Sequence, residues 1–316
     1  MTAAERRRVG DSELTVFPLA LGGNVFGWTA DERQSHRVLD AYVAAGGNFV
    51  DTADSYSFWA PGNHGGESEE IIATWLASRS DRGDIVLATK VSQHPEFAGI
   101  APATIAAGLE ASLARLGTDY IDLYYAHFDE PDRPLHDTVE AFSALVDSGK
   151  VRYIGISNFA PERILEWLEI AEREGFHRPV AIQPQYSLVE RGIEGAVIPI
   201  AKRAGLGLVT YYALARGFLT GKYRSEQDRR GVSPRAEAAS AYLDARGRRV
   251  LEALDTIAEA RGVALATIAL AWIAAQPTVV APIASARTVE QLPDLVAHVE
   301  VGLTAAELEA LGRASS

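Results

Sequence analysis

The chain has 316 residues, 47% of them hydrophobic and 23% charged, which is enough to bury a large core as one α/β barrel or two ordinary domains. A net charge of −12 sets it against phosphate backbones, so nucleic acid is not an expected partner, and the absence of cysteine excludes disulfides and thiolate chemistry. Residues 1–8 carry three arginines with no apolar run behind them, and no apolar run approaches the roughly 20 residues of a membrane span, so a soluble, cytoplasmic protein is expected.

Short apolar or β-branched runs then alternate with longer segments of helical period, the pattern of a parallel sheet built from βα units. Residues 7–9 and 14–16, joined by Gly10-Asp11-Ser12, predict a lead-in hairpin. Strand 18–21 precedes a helix over 33–45, strand 48–50 a helix over 68–78, and strand 85–89 a helix over 102–116. Strand 121–125 precedes a helix over 136–148, strand 153–156 a helix over 161–174, and strand 181–183 a helix over 195–204. Gly46, Gly117, Gly149, Gly175 and Gly205 supply stops, and Pro102 and Pro161 supply starts. Strand seven is expected at 206–210, followed by a long loop over 222–241 that is Arg-rich (Arg224, Arg229, Arg230, Arg235) and without period. Helices over 242–260 and 264–276 precede strand eight at 279–283, and a helix over 304–312 ends the chain. Eight βα units without a polar linker between halves favour a single-domain (β/α)8 barrel over residues 1–316, with an N-terminal β-hairpin and a C-terminal helix, over a doubly wound sheet with a second domain. Gly22-Gly23-Asn24 is a strand-end turn and not a dinucleotide fingerprint, because nothing matches Gly-x-Gly-x-x-Gly after strand one.

A barrel of this type builds its active site at the C-terminal ends of its strands. Phe49-Val-Asp51 runs into Tyr56, Ile85-Val-Leu-Ala-Thr-Lys90 ends in a lysine, and Tyr120-Ile-Asp-Leu-Tyr-Tyr-Ala-His127 ends in a histidine. Asp51 alone reads equally as a helix cap, and His127 alone reads as a satisfied core histidine. A lysine leaving a buried strand, however, needs a carboxylate or shifts its pKa. Together the four define a chemistry. A phenol is a poor acid at neutral pH unless a cation stabilises its anion; Lys90 supplies that cation, Asp51 orients it, and His127 offers a second donor beside the Tyr56 hydroxyl. Two donors aimed at one oxygen polarise a carbonyl for hydride addition, and since no side chain supplies hydride a nicotinamide cofactor is implied. No metal is expected.

Six ordered motifs carry a resemblance: Asp51-Thr-Ala-Asp-Ser-Tyr56, Ala88-Thr-Lys90-Val, Asp122-Leu-Tyr-Tyr-Ala-His127, Gly155-Ile-Ser-Asn-Phe159, Gln183-Pro-Gln-Tyr186 and Leu214-Ala-Arg-Gly-Phe-Leu-Thr-Gly-Lys-Tyr223. From about Arg8 to Gly312 the chain resembles the aldo-keto reductase superfamily. The resemblance implies an NADPH-dependent reductase of aldehydes or ketones, with NADH as the alternative cofactor. Tyr56 would be the general acid, Lys90 and Asp51 would tune it, and His127 would orient the carbonyl. Ser157, Asn158 and Gln183 would hydrogen-bond the nicotinamide carboxamide. Tyr211 would stack under the nicotinamide ring, although the usual Tyr-Ser-Pro-Leu reads here Tyr211-Tyr212-Ala213-Leu214, which leaves the path of the pyrophosphate loop open because Pro fixes φ and Ala does not.

Within that loop Leu214 and Gly217 are expected against the cofactor, Gly217 permitting close backbone approach, and Lys222 would meet the pyrophosphate, with Arg224 or a later arginine closing over it. The segment 282–291 leaves strand eight and enters a helix through Ser285 to Arg287, where Arg287 offers a fork for the 2′-phosphate and favours NADPH. Gln291 and Asp294 resemble adenine-facing positions, and Leu295 stands where the family often has Asn. Asn24, Phe26, Trp28, Trp59 and Phe128 are expected to ring the substrate mouth, favouring a carbonyl with some apolar surface, while Asp129 and Glu130 argue against anionic substrates. Two alternatives remain. Potassium-channel β subunits of the same family bind NADPH as regulatory partners with little turnover, which the intact set of four disfavours. A Schiff-base aldolase barrel would use Lys90 as nucleophile.

Overall fold

A computed structural model describes residues 5–225, 228 and 236–316. Eight parallel strands close into a barrel in chain order: Ala20–Gly22, Phe49–Asp51, Val86–Val91, Ile121–Ala126, Val151–Ser157, Pro179–Gln183, Gly207–Thr210 and Val279–Ala284. Each strand is followed by helical structure on the outside, and the whole is a (β/α)8 barrel. Alternation along each strand divides the apolar residues. One set, including Ala20, Phe49, Ala88, Leu123, Tyr125, Ala181 and Val209, fills the barrel interior; the other, including Leu21, Val50, Leu87, Tyr124 and Leu208, packs under the helices.

The hairpin Arg7–Arg8 with Thr15–Val16 plugs the N-terminal end, adding Val9, Leu14 and Val16 to the interior cluster. Its turn lies so close to the barrel that Gly10, at φ 51°, has room for no side chain: a Cβ there would sit 2.3 Å from the Val180 carbonyl and 2.6 Å from that of Gly205. At the other end, the helices Ala245–Arg261 and Leu265–Ala274 precede strand eight, and Ala305–Ala314 packs back on the first of these. Among the described residues no single helix is long and apolar enough to cross a membrane; the apolar pair Ala245–Arg261 and Leu265–Ala274 is bent by 102°, and its second member packs on strand eight.

The departures from expectation have local causes. The helix expected from 242 starts at Ala245, because Asp244 takes the cap and accepts a hydrogen bond from Gly247 N. The helix expected over 195–204 is a 3₁₀ turn at Gly192–Gly195 followed by Val197–Ala204, the break falling at Gly195 and Ala196. A two-residue hairpin, Gln93–His94 with Phe97–Ala98, follows strand three and was not expected. In the expected loop over 222–241 a short helix forms at Ala236–Ser240, and strand seven leads into a 3₁₀ stretch at Ala215–Thr220. Arg229, Arg230 and Arg235 lie outside the described residues.

Candidate active site

Parallel closure puts the polar strand ends on one rim. Asp51 ends strand two, Lys90 is next to last in strand three, and His127 directly follows strand four. Ser157 and Gln183 end strands five and six in register with each other, Tyr211 follows strand seven, and Ser285 follows strand eight. Tyr56 comes from the turn after strand two, anchored by Tyr56 N to Ala53 O and by Asp54 N to the Lys90 carbonyl.

Lys90 is fully buried, and its ammonium donates to Asp51 Oδ2 at 2.7 Å, to the Thr52 carbonyl at 2.6 Å and to the Tyr56 hydroxyl at 3.0 Å. Asp51, 1% exposed, accepts from Gln183 Nε2 on its other oxygen at 2.8 Å, so both carboxylate oxygens are engaged. Burial draws Lys90 below the usual lysine range, with Asp51 opposing that drift. Tyr56 is pushed well above the usual phenol range, by burial first and then by the Asp51 charge. That reverses the expectation that Lys90 lowers it in the free protein. The phenol is therefore protonated, its oxygen accepting from Lys90 and its hydrogen shared between Asp51 and a ligand.

The His127 ring lies 6.2 Å from that of Tyr56. Burial, then the Lys90 charge, hold its pKa well below the ordinary value, so the imidazole is neutral. Its Nδ1 is buried without a partner. An unpaired acceptor is tolerated better than an unpaired N–H, so we assign the single proton to Nε2, leaving Nε2–H as donor.

These groups form one end of a cavity of about 660 Å³, within the usual size range of small-molecule sites. Its lining includes Asn24, Asp51, Tyr56, Trp59, His127, Phe128, Asn158, Gln183, Tyr211, Leu214, Gly217, Lys222, Ser285, Arg287, Gln291 and Asp294. Four expected residues stand outside that lining. Phe26 is wholly buried in the core under the helices. Trp28 stands behind Trp59, its ring edge-on at 5.7 Å. Ser157 sits behind the wall, donating to the Gln183 carbonyl at 2.8 Å and accepting from Asn158 Nδ2 at 3.0 Å. Lys90 is likewise shielded from the cavity by the groups it holds. The lining also includes Leu295, beside the adenine-facing positions, and Gln185, Tyr212, Arg216 and Thr220, which were not among the expected site residues. For Gln185 the available signal was its position two residues beyond Gln183, which puts both on the same side of the chain.

The residues present fit a nicotinamide dinucleotide. Half-buried Arg287 and exposed Lys222 have no acidic partner among the described residues, and both face the cavity. The Arg287 backbone N donates to Gln291 Oε1 at 2.9 Å, leaving the guanidinium at the cavity's far end. Lys222 Nζ lies 3.1 Å from where a Gly217 Cβ would stand, so a cation sits beside a bare backbone. Gly217 at φ 96° and its neighbours Ala215 at 48° and Arg216 at 58° turn the loop inward. Tyr212, standing for the family's Ser, also takes a positive φ of 51°. Tyr211 donates to Asn158 Oδ1 at 2.7 Å, fixing ring and amide together at the polar end. Arg224 is instead paired bidentately with Asp255, away from the lining.

Residues 18–315 match the Aldo/keto reductase family. The chain is 37% identical to an uncharacterized oxidoreductase, YrpG, of Bacillus subtilis over 93% of its length and 91% of that protein's. It is 30% identical to norsolorinic acid reductase B of Aspergillus parasiticus (96% and 82% covered) and 32% identical to a probable voltage-gated potassium channel subunit beta of Oryza sativa (93% and 91% covered). A match of that extent, on a barrel of eight parallel strands, means that the chain belongs to the aldo/keto reductase family, among the oxidoreductases.

Proposed function

We propose that the protein is an NADPH-dependent carbonyl reductase in which Tyr56 is the general acid. The observation that carries this reading is the hydrogen bond from the buried Lys90 ammonium to the Tyr56 hydroxyl, beside a neutral His127. When bound, the nicotinamide supplies the hydride. Asn158, Gln183 and Tyr211 would border its ring, Leu214, Gly217 and Lys222 the pyrophosphate, and Ser285, Arg287, Gln291 and Asp294 the adenosine 2′-phosphate end. A carbonyl oxygen held between Tyr56 OH and His127 Nε2–H receives two hydrogen bonds that strengthen as negative charge builds on it. Tyr56 then gives its proton to that oxygen, and the phenolate left behind is met by Lys90, which Asp51 and the Thr52 carbonyl keep in place. Gln183 fixes the second Asp51 oxygen, which holds the carboxylate on Lys90.

The Schiff-base reading has less support, because the Lys90 nitrogen is closed off from the cavity and committed to three oxygens. Tyr56→Phe separates catalysis from a binding-only role. NADPH should still quench the tryptophan fluorescence of the variant, while reduction of aldehydes falls by about 10²-fold or more, the usual contribution of a positioned acid. Near-normal turnover in Tyr56→Phe would remove Tyr56 as the acid, and absence of turnover in the unaltered protein across a panel of aldehydes, ketones and sugars would favour the regulatory role.

A further inference from the structure

Three cations line the cavity, and the cofactor reading uses two of them: Lys222 over Gly217 and Arg287 at the adenosine end. Arg216 is left over. Its guanidinium carbon lies 4.4 Å over the ring of Tyr212, which packs edge-on against Tyr211 at 5.1 Å. Tyr211 is tied to Asn158, and Tyr212 and Tyr211 are both near enough to Tyr56 to raise its pKa. Arg216 is thus tethered to Tyr212 and, through it, to Tyr211.

The chain keeps it there at a conformational cost. Tyr212, Ala215 and Arg216 all take positive φ without being glycine, at 51°, 48° and 58°, and such clusters mark functional loops. No carboxylate among the described residues pairs with Arg216. The acids expected to guard the mouth are spent elsewhere: Asp129 is gripped by both arms of Arg163 at 2.8 and 2.9 Å, and Glu130 accepts from Arg133 and from Ile100 N. Neither lines the cavity, so they give no ground against anionic substrates. A guanidinium with one face on an aromatic ring presents its N–H edges in plane, the geometry that takes a carboxylate with two parallel hydrogen bonds.

We propose that Arg216, held on Tyr212, binds the carboxylate of the substrate, so that the preferred substrates are aldehydes or ketones bearing a carboxylate. This rests on the carbonyl-reductase reading. The test uses the full chain with NADPH and compares succinic semialdehyde and para-carboxybenzaldehyde, each against its methyl ester. The acids should be preferred in kcat/KM by about tenfold or more, the scale of one charge-assisted hydrogen bond. Arg216→Asn, chosen because Asn tolerates the left-handed backbone, should collapse that ratio toward one, mainly through KM; Arg216→Lys should keep part of it, and Tyr212→Ser should lower it. An acid-to-ester ratio at or below one in the unaltered protein for both pairs overturns the proposal, as does a ratio unmoved by Arg216→Asn. Weakened NADPH quenching in Arg216→Asn with the ratio intact would assign Arg216 to the cofactor instead. If the esters are not reduced and NADPH does not quench, the carbonyl-reductase reading fails and takes the proposal with it.

Discussion

Asp54 lies in the turn between Asp51 and Tyr56, wholly buried, with no partner for its carboxyl beyond the adjacent Ser55. Burial, and then the negative charge of Glu69, push its pKa up to about 8, with Arg115 pulling the other way. The folded chain therefore carries Asp54 as a neutral acid at pH 7, whereas the unfolded chain ionises it near the usual value of about 3.9. Between those values the unfolded state binds fewer protons, so this group's contribution to stability is intact below about pH 4 and falls by about 1.4 kcal/mol per pH unit until about pH 8. Asp54→Asn removes the titration while keeping size and polarity. Urea midpoints of the two proteins at pH 6 and pH 7.5 should show the variant gaining about 2 kcal/mol relative to the parent over that interval, by the same linkage slope. Other titrating groups cancel in the difference. A gap that stays constant with pH would mean that Asp54 is ionised in the folded state, and that a second buried negative charge stands beside Lys90 and Tyr56.

Arg287→Ala should weaken NADPH binding by about tenfold or more while leaving NADH binding little changed, as expected for loss of a charge-assisted contact to the 2′-phosphate; equal losses for the two cofactors in fluorescence titrations would place the guanidinium elsewhere. Gly10→Ala should cost about 2 kcal/mol or more in urea unfolding, because its Cβ would meet two carbonyl oxygens. Gly117→Ala, at φ 61° with open space around it, isolates the backbone strain, and an equal loss in both variants would mean the hairpin moves aside freely.

The eight strands were legible because each is an apolar run cut off by a turn, and the site was legible because the same runs end in groups that a buried strand does not otherwise tolerate: Asp51, Lys90 and His127. What the runs do not carry is where a loop goes after it leaves the rim. Phe26 and Trp59 are both loop aromatics near the mouth in sequence, yet Phe26 turns under the helices while Trp59 remains 42% exposed at the cavity. Arg216 reads in sequence as one arginine before a glycine; its placement depends on three successive left-handed residues, which side-chain identity does not predict for Ala and Arg. Partnerships across the barrel are hidden in the same way. Gln183 belongs to strand six and Asp51 to strand two, and only ring closure brings the amide within 2.8 Å of the carboxylate.

That last contact bears on the direction of the chemistry. Asp51 is held on one side by Gln183 and on the other by Lys90, and Lys90 in turn donates to the phenol oxygen, so the carboxylate beside Tyr56 is fixed in place. With its pKa raised by burial and by Asp51, the phenol enters the reaction as an acid. Reduction needs that protonated form, whereas alcohol oxidation needs the phenolate. The rate of oxidation should therefore keep rising with pH across the alkaline range in which reduction is flat, and an oxidation rate that levelled off near neutrality would show that the bound complex lowers the phenol pKa far more than the free protein does.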